Sequence, residues 1–211
     1  MTLDPNLLLH AYSIGVFPMA EHRDSPKISW IEPRLRGIFA LEDFHISRSL
    51  ARAIAKADYE IRLNTGFLEV VDACADRSET WINDQIREGY QALFDMGHAH
   101  SLEVWRDDRL IGGVYGVTLG GAFFGESMFS RATNGSKIAL AYLVTHLSRC
   151  GYKLFDTQFL TPHLASLGAV EIPQDTYLSH LADSLEAVAD FRSYSAAPSI
   201  SDVLQRKTQT S

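Results

Sequence analysis

Apolar residues recur along the chain in two rhythms, a helical one and an alternating one, and their order lays out the elements. Leu7, Leu8, Leu9 and Tyr12 predict a short apolar helix. Gly15-Val-Phe-Pro-Met19 then reads as a turn, and a link rich in Pro, Ser and Asp runs through Pro26 and Pro33. This opening piece, residues 1–35, is too small for a core of its own and is expected to pack on the rest as a small N-terminal subdomain. A strand is predicted near Gly37–Leu41, a helix over Ser47–Ala57, and another over Asn83–Met96 that stops at Gly97.

From residue 101 the rhythm changes to alternation. Ser101–Arg106, Leu110–Thr118 and Ala122–Glu126, separated by Asp107-Asp108 and Gly120-Gly121, predict three antiparallel strands. Asn134 and Ser136 offer N-cap oxygens to a helix carrying Leu140, Leu143, Val144 and Leu147, which ends at Gly151. Lys153–Phe159 reads as a strand, followed by a short helix near Pro162–Leu167, a stop at Gly168, a strand at Ala169–Ile172 and a helix over Asp175–Asp190. A meander, a helix, then strand, helix, strand is the order of an α+β, acetyltransferase-like (GNAT-like) fold, a mixed sheet flanked by helices. It is expected to occupy residues 36–195, leaving 196–211 as a flexible tail.

Composition narrows the classes. With 211 residues and 46% hydrophobic content the chain can bury a core, and no apolar run is long enough to span a bilayer. Its start lacks the basic and apolar regions of a secretory signal, so a cytoplasmic location is expected. Cys74 and Cys150 have no CxxC partner, which supports neither a disulfide framework nor a zinc site. A net charge of −7 argues against binding nucleic acid through the overall field, yet Arg48, Arg52 and Lys56 stand four apart and stack on one helix face. By itself that face reads first as a solvated one.

Chemistry concentrates on the strand at 153–159. Alternation puts Asp156 and Gln158 on one face, and an aspartate in mid-strand is disfavoured unless something satisfies it. Two readings stand open: a carboxylate closing a structural hydrogen-bond network, or a carboxylate and an amide aimed together at a reacting amine. Glu126 follows Gly125 near a strand end, where backbone can approach a ligand, and the glycines at 112, 113, 116, 120, 121 and 125 mark either a cleft or a set of bulges. The loop Arg131–Ser136 offers a weak match to a phosphate-binding helix start.

Several strings taken together resemble the leucyl/phenylalanyl-tRNA-protein transferases: Gly15-Val-Phe-Pro18, His45-Ile-Ser-Arg-Ser49, Thr80-Trp-Ile82, Gly97-His-Ala-His-Ser101, Phe124-Gly-Glu-Ser-Met-Phe-Ser130, Asp156-Thr-Gln158 and Ser166-Leu-Gly-Ala169. The resemblance spans roughly residues 5 to 190. It implies an enzyme that moves Leu or Phe, and less readily Met, from aminoacyl-tRNA to the N-terminal Lys or Arg of acceptor proteins, marking them for degradation by the N-degron route, with no cofactor or metal. Carried over by position, it implies that Asp156 and Gln158 are catalytic, orienting amine and ester, and that Glu126 and Gly125 line the substrate site. It further implies that Phe123, Met128, Leu140, Phe155, Val114 and Leu147 form the side-chain pocket. Trp81 and Met19 would lie near the terminal adenosine, and Arg48, Arg52 and Lys56 would hold the tRNA acceptor stem. The chain departs from the pattern at Met19, where many members have tryptophan, and in its short N-terminal region.

The chemistry suits the residues. An α-amino group with a pKa of about 8 is neutral in roughly a tenth of molecules at pH 7, whereas a lysine side chain near 10.4 is far rarer as the free amine. An N-terminus can therefore be acylated without a strong base or nucleophile triad. No membrane partner is expected, and the chain is expected to be a monomer. Two other functions fit the same fold: an acetyl-CoA-dependent N-acetyltransferase, if the Arg131–Ser136 loop holds pyrophosphate, and a non-catalytic module that binds tRNA or N-termini.

Overall fold

The computed structural model describes residues 3–205. Helix α1 (Pro5–Ser13) opens on Asp4, whose carboxylate accepts the Asn6 amide at 2.9 Å, and its inner face buries Leu8, Ala11 and Tyr12. The expected turn at 15–19 is instead the start of a hairpin: β1 (Phe17–Ala20) pairs antiparallel with β2 (Ile28–Ile31), and residues 21–27 connect them. Pro18 is tolerated because a two-stranded sheet is all edge.

The main sheet has seven strands in the order β4-β5-β6-β7-β8-β3-β9. They are β3 (Leu35–Phe39), β4 (Glu60–Leu63), β5 (Ala99–Arg106), β6 (Arg109–Leu119), β7 (Ala122–Ser130), β8 (Leu154–Gln158) and β9 (Val170–Pro173). Every neighbouring pair is antiparallel except β7 and β8, which run parallel and so need the long crossover that α5 (Gly135–Arg149) supplies. The chain is thus a mixed α+β protein with helices on both faces of one mixed sheet.

Each face has its own core. On one side α2 (Arg48–Lys56) and α5 pack Leu50, Ile54, Leu140, Leu143 and Val144 against Val114, Phe123 and Phe155. On the other, α1, α3 (Phe67–Ala75), α4 (Asp84–Asp95) and α7 (Gln174–Leu185) bring Tyr12, Val71, Tyr90 and Tyr177 onto Tyr115, Phe124 and Leu154. The N-terminal helix and hairpin share this second core, as their size requires. Both cysteines are buried and free.

Four local expectations change. Strand β4 and helix α3 were not read from the sequence, although Phe67, Val70, Val71 and Cys74 follow the i, i+3, i+4, i+7 spacing of a buried helix face. Helix α7 stops at Leu185 rather than 190. Asn134 sits in the left-handed region at φ 67° and caps nothing; Ser130 Oγ accepts the Ser136 amide in its place. The expected tail begins instead as helix α8 (Ile200–Gln205), whose Val203 is fully buried in the first core; residues 206–211 lie outside the described residues. The short helix α6 (Pro162–Ala165) starts where Thr161 caps it.

Candidate active site

The parallel pair opens into a gap. Strand β7 pairs with β8 only from Ala122 and Leu154 to Phe124 and Asp156; Glu126 and Gln158 lie just past the last rung. Each stands where the backbone breaks its rhythm. Tyr115 of β6 faces Ser127 while Gly116 faces Gly125, so Glu126 is an extra residue on β7. Gly37 of β3 faces Gln158 while Ile38 faces Asp156, so Thr157 is an extra residue on β8. Extra residues bend a strand and re-aim side chains, which is how two strands of one sheet come to face each other here. Gln158 also adopts φ 64°, an uncommon value for a residue with a β-carbon. Gly125 is required by closeness: a Cβ there would lie 2.7 Å from the Phe155 ring.

A buried polar network fills the gap on the α1, α4 and α7 side. Gln158 Nε2 donates to Glu126 Oε2 at 3.1 Å, Tyr90 donates to the same oxygen at 2.6 Å, and Tyr12 donates to Oε1 at 2.7 Å. Burial pushes the Glu126 carboxyl up to about 7, the three donors pull it down, and the charge on Asp156 adds to the rise. Burial beside this carboxylate also raises both tyrosines well above their ordinary value, so they act as donors. The result is an acid–base group that changes state near neutral pH while held from both sides.

Asp156 has no exposed surface, and its carboxylate is fully committed. Arg36 donates to it from Nε at 2.9 Å and from Nη2 at 2.7 Å, Tyr177 donates at 2.8 Å, and the Gln158 amide donates to Oδ1 at 2.7 Å. The Arg36 guanidinium lies over the rings of Phe17 and Tyr177, at 4.7 and 4.5 Å, and its Nη1 donates to the Gly15 carbonyl at 2.8 Å. Of the two readings open from the sequence, the geometry fits the closed network: Asp156 does not reach the pocket wall, whereas Glu126 does, and Gln158 meets the pocket only through its bond to Glu126.

That wall belongs to a pocket of about 90 Å³ on the α5 side of the gap. Val114, Met128, Leu140 and Phe155 line it with Gly125 and Glu126, as do Ser127, Thr157 and Leu164, which the sequence reading passed over. Phe123 and Leu147, expected at the wall, are buried behind it, Phe123 packing edge-on to Phe155 at 5.3 Å. Alternation explains the split: Phe155 and Thr157 point to the pocket, Asp156 and Gln158 to the polar network. Trp81 is half-buried with its ring edge-on to Tyr90 at 6.5 Å, and Met19 sits on the adjoining hairpin, where the Ala20 amide bonds to the Trp81 carbonyl. Neither lines the pocket.

Arg48, Arg52 and Lys56 lie exposed on α2, which packs on α5 and so on the pocket's face of the sheet. Lys56 forms an ion pair with Asp58 at 2.7 Å. The residues that reasoning from sequence missed are Tyr12, Arg36, Tyr90 and Tyr177. Their signal was a polar tip on an otherwise apolar face, since buried tyrosines and arginines need partners. The Arg131–Ser136 loop offers little to a phosphate. The Gly135 amide donates to the Ala132 carbonyl and the Ser136 amide to Ser130, and a Cβ on Gly112 would lie 2.5 Å from the Gly135 carbonyl carbon.

Comparison with known proteins converges on one family. A family model described as leucyl/phenylalanyl-tRNA protein transferase matches residues 38–182, and the model of that family's N-terminal domain matches residues 1–34. Proteins named leucyl/phenylalanyl-tRNA–protein transferase from Ruegeria pomeroyi and Roseobacter denitrificans are 58% and 55% identical, each over 100% of both chains. One from Cereibacter sphaeroides is 57% identical over 99% of this chain and 98% of its own. Among solved structures, FemX shares the fold with a TM-score of 0.54 at 12% identity, over 80% of this chain and 66% of that one.

Proposed function

The chain belongs to the leucyl/phenylalanyl-tRNA protein transferase family, and we propose that the gap between β7 and β8 is where its peptide bond forms. The chain is an aminoacyltransferase, moving Leu or Phe from aminoacyl-tRNA to the N-terminal Lys or Arg of proteins, consistent with a role in N-degron degradation; we infer that Met is moved less readily. One observation supports the placement: Glu126, which lines the apolar pocket, accepts a hydrogen bond from Gln158 at 3.1 Å.

In this reading the donor's side chain enters the pocket against Val114, Met128, Leu140, Phe155 and Leu164 and brings the ester carbonyl to the rim. The acceptor's α-ammonium gives one proton to Glu126, whose pKa near 7 suits an amine of about 8. The free amine attacks the carbonyl carbon. As the C–N bond forms and the C–O bond to the ribose breaks, the amine's second proton passes to the departing ribose oxygen. Gln158 orients the reacting groups with its carboxamide, and Asp156, having no free lone pair directed at the pocket, positions Gln158. A basic first residue on the acceptor suits a gap lined by a carboxylate.

The finer assignments follow. We read the sheet as acetyltransferase-like, supported by its splayed parallel pair. Trp81 and Met19, beside Tyr90, lie where the donor's terminal adenosine would rest, and α2 presents its cations to the acceptor stem. We take the working unit to be a monomer, a reading supported by β7, β8 and both core faces coming from one chain, and place it in the cytoplasm with its tRNA donor. The occupied amides at the start of α5 disfavour an acetyl-CoA enzyme. The test is to mix the purified chain with Phe-charged tRNA and a peptide beginning with Arg, adding nothing else. Phe-Arg product is expected from the wild type and about a hundredfold or more slowly from Gln158→Ala; equal turnover by that variant, or tight binding of coenzyme A in calorimetry, would overturn the reading.

A further inference from the structure

Arg36 belongs to neither the pocket nor the gap, yet it is the largest of the fully buried side chains, 1% exposed, and each of its three nitrogens is engaged. We propose that Arg36 is a positioning residue for the transfer step, acting through Asp156 on the backbone of Gln158 and through Gly15 on Tyr12. The proposal rests on the reading of the gap as the reaction centre.

The first arm runs along β8. Gln158 points its carboxamide at Glu126 from a left-handed backbone that a residue with a β-carbon seldom adopts. What holds it there is the 2.7 Å bond from its own amide to Asp156 Oδ1, a side chain bonding the backbone two residues on, as in an Asx turn. That bond lasts only while the carboxylate keeps one rotamer, and the Arg36 fork, with two nitrogens on the carboxylate and Tyr177 beside them, fixes it. The second arm runs to the N-terminal helix. Arg36 Nη1 holds the Gly15 carbonyl, just past the end of α1, three residues after the Tyr12 that donates to Glu126. Both flanks of Glu126 therefore trace back to one guanidinium. Lysine cannot replace it: an ammonium has no planar fork to grip both oxygens and no flat face to lie between the rings of Phe17 and Tyr177.

The experiment measures Arg36→Lys and Gln158→Ala side by side with charged tRNA and an Arg-peptide, reading kcat and KM separately. Arg36→Lys is expected to lower kcat about a hundredfold through misplacement of Gln158, with KM for both substrates unchanged. In Arg36→Ala, added methylguanidinium is expected to restore part of the lost kcat while urea does not; where that variant fails to fold, the lysine variant decides. Wild-type kcat in Arg36→Lys, with only thermal stability reduced, makes Arg36 structural and overturns the proposal. Wild-type kcat in Gln158→Ala is a different failure, that of the reaction-centre reading itself, so the two are distinguished within one assay.

Discussion

Gln158 Nε2 stands 3.1 Å from Glu126 Oε2 across the only parallel strand pair among the described residues, past the last rung that joins the two strands. Because this contact spans unpaired backbone, removing the carboxamide costs the sheet little. Gln158→Ala is expected to fold, losing about 2 kcal/mol for one hydrogen bond to a charged group, and to lower kcat by about two to three orders of magnitude. Thermal melts and transfer of labelled Phe check the two halves.

Asp156 behaves oppositely. Asp156→Ala strips the partner from an arginine that is itself 1% exposed, and breaking such a buried pair costs about 3–5 kcal/mol. Denaturant titration is expected to show that loss, so inactivity of this variant by itself says nothing about chemistry, whereas that of Gln158→Ala does.

Glu126 gives stability a pH dependence with a definite sign. Its carboxyl titrates at about 7 folded against an ordinary value of 4.5, so between those values the folded chain holds the proton that the unfolded chain releases. Stability from this group is present below about 4.5 and is lost as pH rises to about 7, amounting to about 3 kcal/mol. His100 and His146, pushed down by burial to about 3 and about 4, act in the other direction as pH falls below their ordinary 6.5. The difference between wild type and Glu126→Gln cancels them: the variant's melting temperature relative to wild type is expected to rise from about pH 5 to about pH 8 and then level. A flat difference would remove the assignment.

Met128 forms a half-buried part of the pocket wall. Met128→Ala removes apolar contact with the donor side chain, so kcat/KM with Phe- or Leu-charged tRNA is expected to fall about tenfold or more, with little change for tRNA charged with alanine. A uniform fall across all three donors would place the amino-acid side chain elsewhere.

On α2, Arg52→Ala is expected to weaken tRNA binding equally across acceptor sequences and to reduce the slope of log affinity against log salt by about one. Binding titrations at several salt concentrations measure it. Lys56→Ala is expected to do less, since Asp58 already holds that ammonium.

What the sequence revealed depended on how locally each feature is encoded. The strands β5 to β7, the helix at 135–149 and the placement of Asp156 and Gln158 on one face follow from side-chain period alone, and all are present. The hairpin of β1 and β2 was hidden because Gly15 and Pro18 read as punctuation, while its pairing is set by residues eight to fourteen positions apart. The character of Asp156 was hidden for a related reason. Whether a strand carboxylate meets water, substrate or a cation is decided by Arg36 on a strand far off in the chain, and no local pattern announces that meeting. Phe123 and Leu147 show the limit within a helix or strand: period tells which face a residue takes, but not whether it forms the surface of a hollow or the layer behind it.

The surplus residue at Glu126 has a consequence for how this centre could be inherited or rebuilt. Deleting it would repair the ladder between β6 and β7 and leave the architecture standing, with Met128 still opposite Val114 on the wall of the hollow; only the carboxylate would be lost. Insertions and deletions at this point are therefore selected against by chemistry rather than by folding. A designer grafting the centre onto another sheet must carry the irregular backbone across together with the side chains.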